Sequence, residues 1–207
     1  MRLSNPQNAV SSLYTLYAIS ACLKAESDLD FGKYFNNEQL KWYESVTVVE
    51  DFYKKGPSLT TTDITSNIMA PLVKDMINSV EIINESAGVF RFAHAETMIP
   101  LATFLELKTA NTSTNNPDKV MSIWEIKSIS PMAANVQWIL YDNGSNKLIK
   151  MLYNEVEMSF PVALKPVTGV YYHWADVKDY YTQKIESLGF NMSNTMEEDL
   201  DYLKSHY

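Results

Sequence analysis

His94 and Glu96 stand two residues apart inside GVFRFAHAETMIPLATFLEL, the stretch Gly88–Leu107. An imidazole and a carboxyl that close suit the handling of a phosphate-sized anion. The imidazole, kept protonated beside phosphate, donates a charge-assisted hydrogen bond. The carboxyl protonates a leaving oxygen if its pKa is raised by a closed pocket and a neighbouring dianion. The plainer reading is a solvated histidine at a strand end and a helix-first-turn glutamate favoured by the dipole. A metal reading is poor, since one histidine and one acid begin a site and no second pair is evident.

The surrounding pattern says how such a pair would be held. Val89-Phe90-Arg91-Phe92-Ala93 predicts a short strand, and Ile99, Leu101, Phe104 and Leu105 predict a helix with Pro100 in its first turn. The expected order is strand, sharp turn, helix, which aims the unpaired N–H groups and positive dipole end of the helix at the turn.

Before this stretch the chain reads as helical. Asn5-Pro6 caps a helix running to about Ala25. A second starts at Asn36 or Asn37, with Leu40, Tyr43, Val46, Val49 and Tyr53 as its stripe, and stops at Gly56-Pro57. A third, capped near Thr62 or Asp63, carries Ile64, Ile68, Leu72, Met76 and Val80, and Pro71 demands a kink or a true start nearer Ile68. After it, residues 107–118 read as an exposed loop and Val120–Ile129 as extended. Val136–Tyr141 and Leu148–Tyr153 form a hairpin about Asn143-Gly144, and Glu157–Pro161 offers a third strand. Helices follow over His173–Leu188 and Met196–Lys204, the last capped by Asn194 or Thr195.

Several of these segments carry a family resemblance. RFAHAETMIPLATFLEL resembles the HAE segment of the histidine acid phosphatases, in their multiple inositol polyphosphate phosphatase branch. YESVTVVEDFYKKGPS (Tyr43–Ser58) resembles a family helix ending in a tyrosine- and lysine-rich turn. PMAANVQWILYDNGSNKLIKMLYNE (Pro131–Glu155) is similar to its late hairpin, and Tyr171-Tyr172-His173-Trp174 with Asp176-Val177-Lys178 to its closing helix. The resemblance runs from about Leu13 to about Tyr181. It implies hydrolysis of phytate and related phosphomonoesters through a phosphohistidine, with no metal or organic cofactor. It assigns phosphate binding to His94 and proton donation to the leaving alcohol to Glu96.

The family's nucleophile lies in an RHGxRxP motif, and no such motif occurs in this sequence. His94, His173 and His206 are its only histidines and none precedes a glycine; Arg2 and Arg91 are its only arginines. The chain therefore reads as the C-terminal portion of such a phosphatase, expected to be inactive alone, or as a non-catalytic binding or interaction module derived from the fold. The expected fold is α/β: part of the phosphatase core sheet, of mixed strand directions, with flanking helices over 87–207, and a helical segment over 1–86 belonging to the cap domain.

Composition narrows the partners. A net charge of -8 argues against nucleic acid, whose binding rests on clustered Lys and Arg, and positive charge for a polyanionic substrate would come from the absent portion. Cys22 is the one cysteine, so no internal disulfide is available; its apolar helix face predicts a buried small side chain. No apolar run reaches about 18 residues, which argues against a membrane span, and the amino terminus has no signal-peptide pattern. The compartment is left open. Lys54 and Lys55 read as helix C-terminal charges, with contact to substrate phosphates as the alternative. His173 reads as packing among aromatics, and His206 as a solvated tail residue. An incomplete sheet leaves an unpaired edge, so association with an N-terminal half or with a second copy is expected.

Overall fold

Asn5 accepts a hydrogen bond from the Asn8 N–H (3.1 Å) and Pro6 occupies the first helical position, so the chain enters its first helix where the sequence placed it. The computed structural model describes residues 5–60, 64–82 and 88–206; Arg2 and the cap expected at Thr62 or Asp63 lie outside the described residues. Helix α1 is Pro6–Ser20, followed by a 3-10 turn at Ala21–Leu23. Helix α2, Asn37–Lys54, begins with a reciprocal cap: the Gln39 N–H donates to Asn36 Oδ1 and the Asn36 N–H to Gln39 Oε1, both at 2.9 Å.

The chain divides into two compact units, residues 1–50 and 51–207. Within the first, Tyr14 stacks on Tyr43 at 5.0 Å and meets Phe35 edge-on, which joins α1 to the start of α2. No residue of α1 is buried, and Leu16, Ile19 and Leu23 are exposed. Cys22, in the 3-10 turn after α1, is exposed as well, against the expectation of burial.

The second unit holds the core. Pro71 does split the third helical run. Helix α3 is Ile64–Asn67, and α4 is Ala70–Ile82 with Pro71 at its second position, where the missing N–H is harmless. Helix α5 is Ala95–Phe104. Residues 107–118 are less exposed than expected, since Leu107 and Ala110 are fully buried. The extended segment expected over Val120–Ile129 is instead two short helices, α6 (Pro117–Ile123) and α7 (Ile126–Ile129). The reason is local: Asn116 Oδ1 accepts from the Asp118 N–H (3.0 Å), Pro117 sits at the first position and Asp118 in the first turn, a complete helix start.

The hairpin is β1 (Val136–Asp142) and β2 (Lys147–Tyr153), paired Trp138 to Met151 and Leu140 to Ile149 about a turn in which Gly144 has φ 82°. Strands β3 (Val156–Met158) and β4 (Tyr172–His173) both pair with β2. All described pairings are antiparallel, not mixed; short turns link β1 to β2 and β2 to β3, and a longer connection brings β4 to the edge of β2 opposite β1. Ile149, Met151 and Tyr153 alternate onto the buried face of β2. Helix α8 (Trp174–Ser187) covers that face with Val177, Tyr181 and Ile185, and Trp138 stacks on Tyr181 at 5.8 Å.

Helix α9 (Met196–His206) starts with a capping box between Thr195 and Glu198. Its Asp199 is fully buried and ion-paired with the buried Lys74 of α4, whose Nζ also donates to the carbonyls of Asn191 (3.3 Å) and Asn194 (2.8 Å). Removing one member of a buried pair strands the other charge. Lys74→Met should therefore lower the stability of this chain by roughly 3–5 kcal/mol in urea unfolding, and adding Asp199→Leu should recover much of the loss. A single-variant loss under about 1 kcal/mol, the size of a solvated surface pair, would contradict this.

Candidate functional site

Both ends of α5 are set by chemistry the sequence places there. At its carboxyl end the last carbonyls would be orphaned in the core. Lys184 Nζ donates to the Phe104 carbonyl (2.8 Å) and to Glu106 Oε1 (2.7 Å), and the Tyr181 hydroxyl donates to the Leu105 carbonyl (3.0 Å). The Tyr180 hydroxyl donates to the same Glu106 carboxylate (2.8 Å). Desolvation and the neighbouring Glu106 charge push the Tyr180 hydroxyl well above the ordinary tyrosine range. Ile99, Leu101, Ala102 and Phe104 bury the body of the helix.

At the amino end His94 is the cap residue, with φ -102° and ψ 174° and no side-chain cap bond. Its carbonyl accepts from the N–H groups of Thr97 (3.0 Å) and Met98 (3.1 Å). The helix begins at Ala95, so Pro100 lies in its second turn and not its first. There it removes the bond that the Glu96 carbonyl would have accepted. His94 is exposed and, with Ala93, Ala95 and Met98, forms one wall of an open depression of about 320 Å³; the opposite wall is the turn Ser130–Ala134. Ala133 there has φ 59°, and the Ala134 N–H donates to the Pro131 carbonyl (3.0 Å). Beyond it the Asn135 N–H bonds Asn154 Oδ1 (3.1 Å) and Asn154 Nδ2 the Ser128 carbonyl (2.9 Å), which ties the turn to the hairpin.

Glu96 does not line that depression. Its side chain is 66% exposed and turns to Lys55, whose Nζ lies 3.2 Å from Glu96 Oε1 and 2.8 Å from Asp51 Oδ1. Its own backbone N–H, then Lys55, then the nearby His94, hold the carboxyl below the usual carboxylate range. Lys55 is pushed above the ordinary lysine range: partial burial opposes this, and the bonds to Asp51 and Glu96 outweigh it. A proton donor to a leaving group needs the reverse shift, so as it stands the site is set for charge and not for proton delivery.

The strand expected over Val89–Ala93 does not form among the described residues. Phe90 is 81% and Phe92 96% exposed, and no neighbouring strand offers this run a hydrogen-bonded ladder. Arg91 holds the segment instead, donating from Nε to Asp75 Oδ2 (2.7 Å) and from its terminal nitrogen to Ser79 Oγ (2.5 Å) on α4.

The other candidates separate from this site. His173 is exposed, not packed; Tyr172 and Trp174 on either side are buried, as the alternation of β4 requires. His206 closes α9, exposed and stacked on Tyr202 at 4.0 Å. Lys54 is exposed at the end of α2. Lys55 is more than a helix-terminal charge, and with Asp51 it joins Glu96. Sequence reasoning missed Asp51 and the Ser130–Ala134 turn. Asp51 and Lys55 are four apart at a helix end, a spacing that points to their pairing; nothing local pointed to the turn. Among the described residues no cluster of metal-ligating side chains occurs, and no helix is long and apolar enough to cross a membrane.

The profile of the histidine phosphatase superfamily (branch 2) matches residues 4–154. The chain belongs to that family. Its structure is similar to that of the multiple inositol polyphosphate phosphatase of Bifidobacterium longum, solved with inositol hexasulfate (TM-score 0.74, 32% identity, covering 84% of this chain and 38% of that one). The apo form gives 0.73, 31%, 86% and 40%. The phosphate complex gives 0.74, 29%, 88% and 41%. The chain thus spans about two fifths of the length of these solved relatives. No curated protein matches it.

Arg91→Ala should release the segment 88–93. Chymotryptic cleavage at Phe90 or Phe92 should rise severalfold, while overall stability changes by no more than about 1 kcal/mol. Equal cleavage rates would show that the guanidinium does not hold the segment.

Proposed function

We propose that this chain supplies the phosphate-binding and proton-donating part of a phosphomonoesterase acting on inositol polyphosphates, and that the nucleophile comes from outside these 207 residues. The observation that carries this reading is the HAE sequence: His94 and Glu96 stand at the start of α5, with His94 lining an open depression, in a branch 2 chain. It is supported by the likeness to a phosphatase solved with inositol hexasulfate and with phosphate. Residues 1–86 would belong to the helical part of such an enzyme and 87–207 to its α/β core.

In the first step a histidine of the absent portion attacks phosphorus. The P–O bond to the alcohol breaks, and Glu96 gives its proton to the leaving oxygen. In the second, water attacks the phosphohistidine, Glu96 takes a proton from that water, and phosphate leaves with histidine and protonated Glu96 restored. His94, as imidazolium, binds the phosphoryl oxygens throughout. The absent portion would also cover Phe90 and Phe92 and supply cationic groups, which a chain of net charge -8 is short of.

A second reading, a non-catalytic interaction module, is favoured by one observation. Exposed Phe90 and Phe92 beside an ion-paired Glu96 make a surface suited to association more than to proton transfer.

The test is a chimera in which this chain replaces the matching two fifths of the bacterial relative. It should release phosphate from phytate. Glu96→Ala should lower kcat roughly 100- to 10,000-fold with little change in KM. A chimera that unfolds cooperatively yet releases no phosphate, or a Glu96→Ala variant with unchanged turnover, would contradict the proposal.

A further inference from the structure

Glu96 is reached from two directions: from its own helix by its own backbone N–H, and from the end of α2 by Lys55. The second is not an arrangement of two mobile surface chains. Lys55 is half-buried, and Asp51, one helical turn back and also half-buried, fixes its ammonium at 2.8 Å. The backbone beneath it is locked. A side-chain carbon on Gly56 would meet the Phe52 carbonyl oxygen at 2.9 Å and the Trp124 ring at 3.0 Å, Phe52 packs edge-on against that ring at 5.6 Å, and the Thr65 hydroxyl donates to the Gly56 carbonyl (2.7 Å). A cation held this way is pre-organised, and it stands at the one carboxyl assigned the proton-donor role.

We propose that Lys55, steadied by Asp51, is the positioning residue of Glu96: it holds the carboxylate charged and turned away from the depression until a phosphate group of the substrate takes the ammonium over. The proposal rests on the role of Glu96 proposed above. A phosphate dianion attracts the ammonium more strongly than a monoanionic carboxylate does. Its arrival removes the cation that stabilises ionised Glu96 and adds a negative charge beside it, and both changes favour protonation. Proton delivery is thereby tied to occupancy of the site. Lys55 also becomes a contact to a substrate phosphate beside the one at His94, which suits ligands bearing several phosphates. The charged groups facing Glu96 are Lys55, with Asp51 behind it, and His94.

Two measurements test this. In the chain alone, the Glu96 side-chain carbon signal, identified by its loss in Glu96→Gln, is followed through an acid titration. Its midpoint should lie below the ordinary value of about 4.3, move up in Lys55→Met, and return in Lys55→Arg. An identical midpoint in the parent chain and Lys55→Met overturns the hold of Lys55 on Glu96. In the phosphatase chimera, kcat/KM for phytate should fall as pH rises through the pKa of free-state Glu96. Lys55→Met removes the cation and raises that pKa, so the alkaline limb should move up by about one pH unit while KM rises about tenfold; Lys55→Arg should keep both near the parent. A limb and KM unmoved by Lys55→Met overturn the transfer of Lys55 to substrate. Should Glu96→Ala leave turnover intact, the proposed function fails by itself, and the titration in the isolated chain still decides whether Lys55 governs Glu96.

Discussion

The amino end of α5 can stand in solvent with its first-turn N–H groups directed outward because its carboxyl end is fixed in the core. Lys184 and Tyr181 of α8 donate to the carbonyls of Phe104 and Leu105, and Glu106 ties Tyr180 to Lys184. That junction rests on the sheet, since α8 lies over the buried face of β2. The hairpin thus supports the covering helix, and the covering helix fixes the end of α5 opposite its cap residue His94.

Around that fixed helix the charges form a graded set. Asp51, Lys55, Glu96 and His94 alternate in sign, with the carboxylate between two groups that can be cationic. In this state the arrangement favours ionised Glu96, whereas protonation of a leaving alcohol needs the acid. The two are compatible if an incoming phosphate reverses the local field, because Lys55 and His94 then face a dianion and Glu96 is left beside its negative charge. An exposed, ion-paired carboxyl and a catalytic acid are in this account two charge states of one residue.

Much of this was legible in the residues. The Asn5-Pro6 cap, the break at Pro71, the Asn143-Gly144 hairpin and the Thr195 cap are local signals, and local chemistry decides them. The helix at Pro117 was legible too, in Asn116 and Asp118, but mixed apolar alternation over Val120–Ile129 outweighed it. The Val89–Ala93 run has the pattern of a buried strand and lacks a partner strand among the described residues; a pattern records what a segment needs, not whether it is present. Cys22 and His173 were misplaced for a related reason, since burial depends on what packs on a face. The Lys74–Asp199 pair and the Lys55–Glu96 contact join positions far apart in the chain, and no spacing rule reaches them.

The central claim is that these residues carry a phosphate contact and a proton donor but not the attacking group. The measurement that tests it most directly is phosphate release from phytate by this chain alone, with Glu96→Ala as control. The account predicts no release from either protein. Release by the parent chain that disappears in Glu96→Ala would place the chemistry wholly within these residues and contradict the account of an external nucleophile.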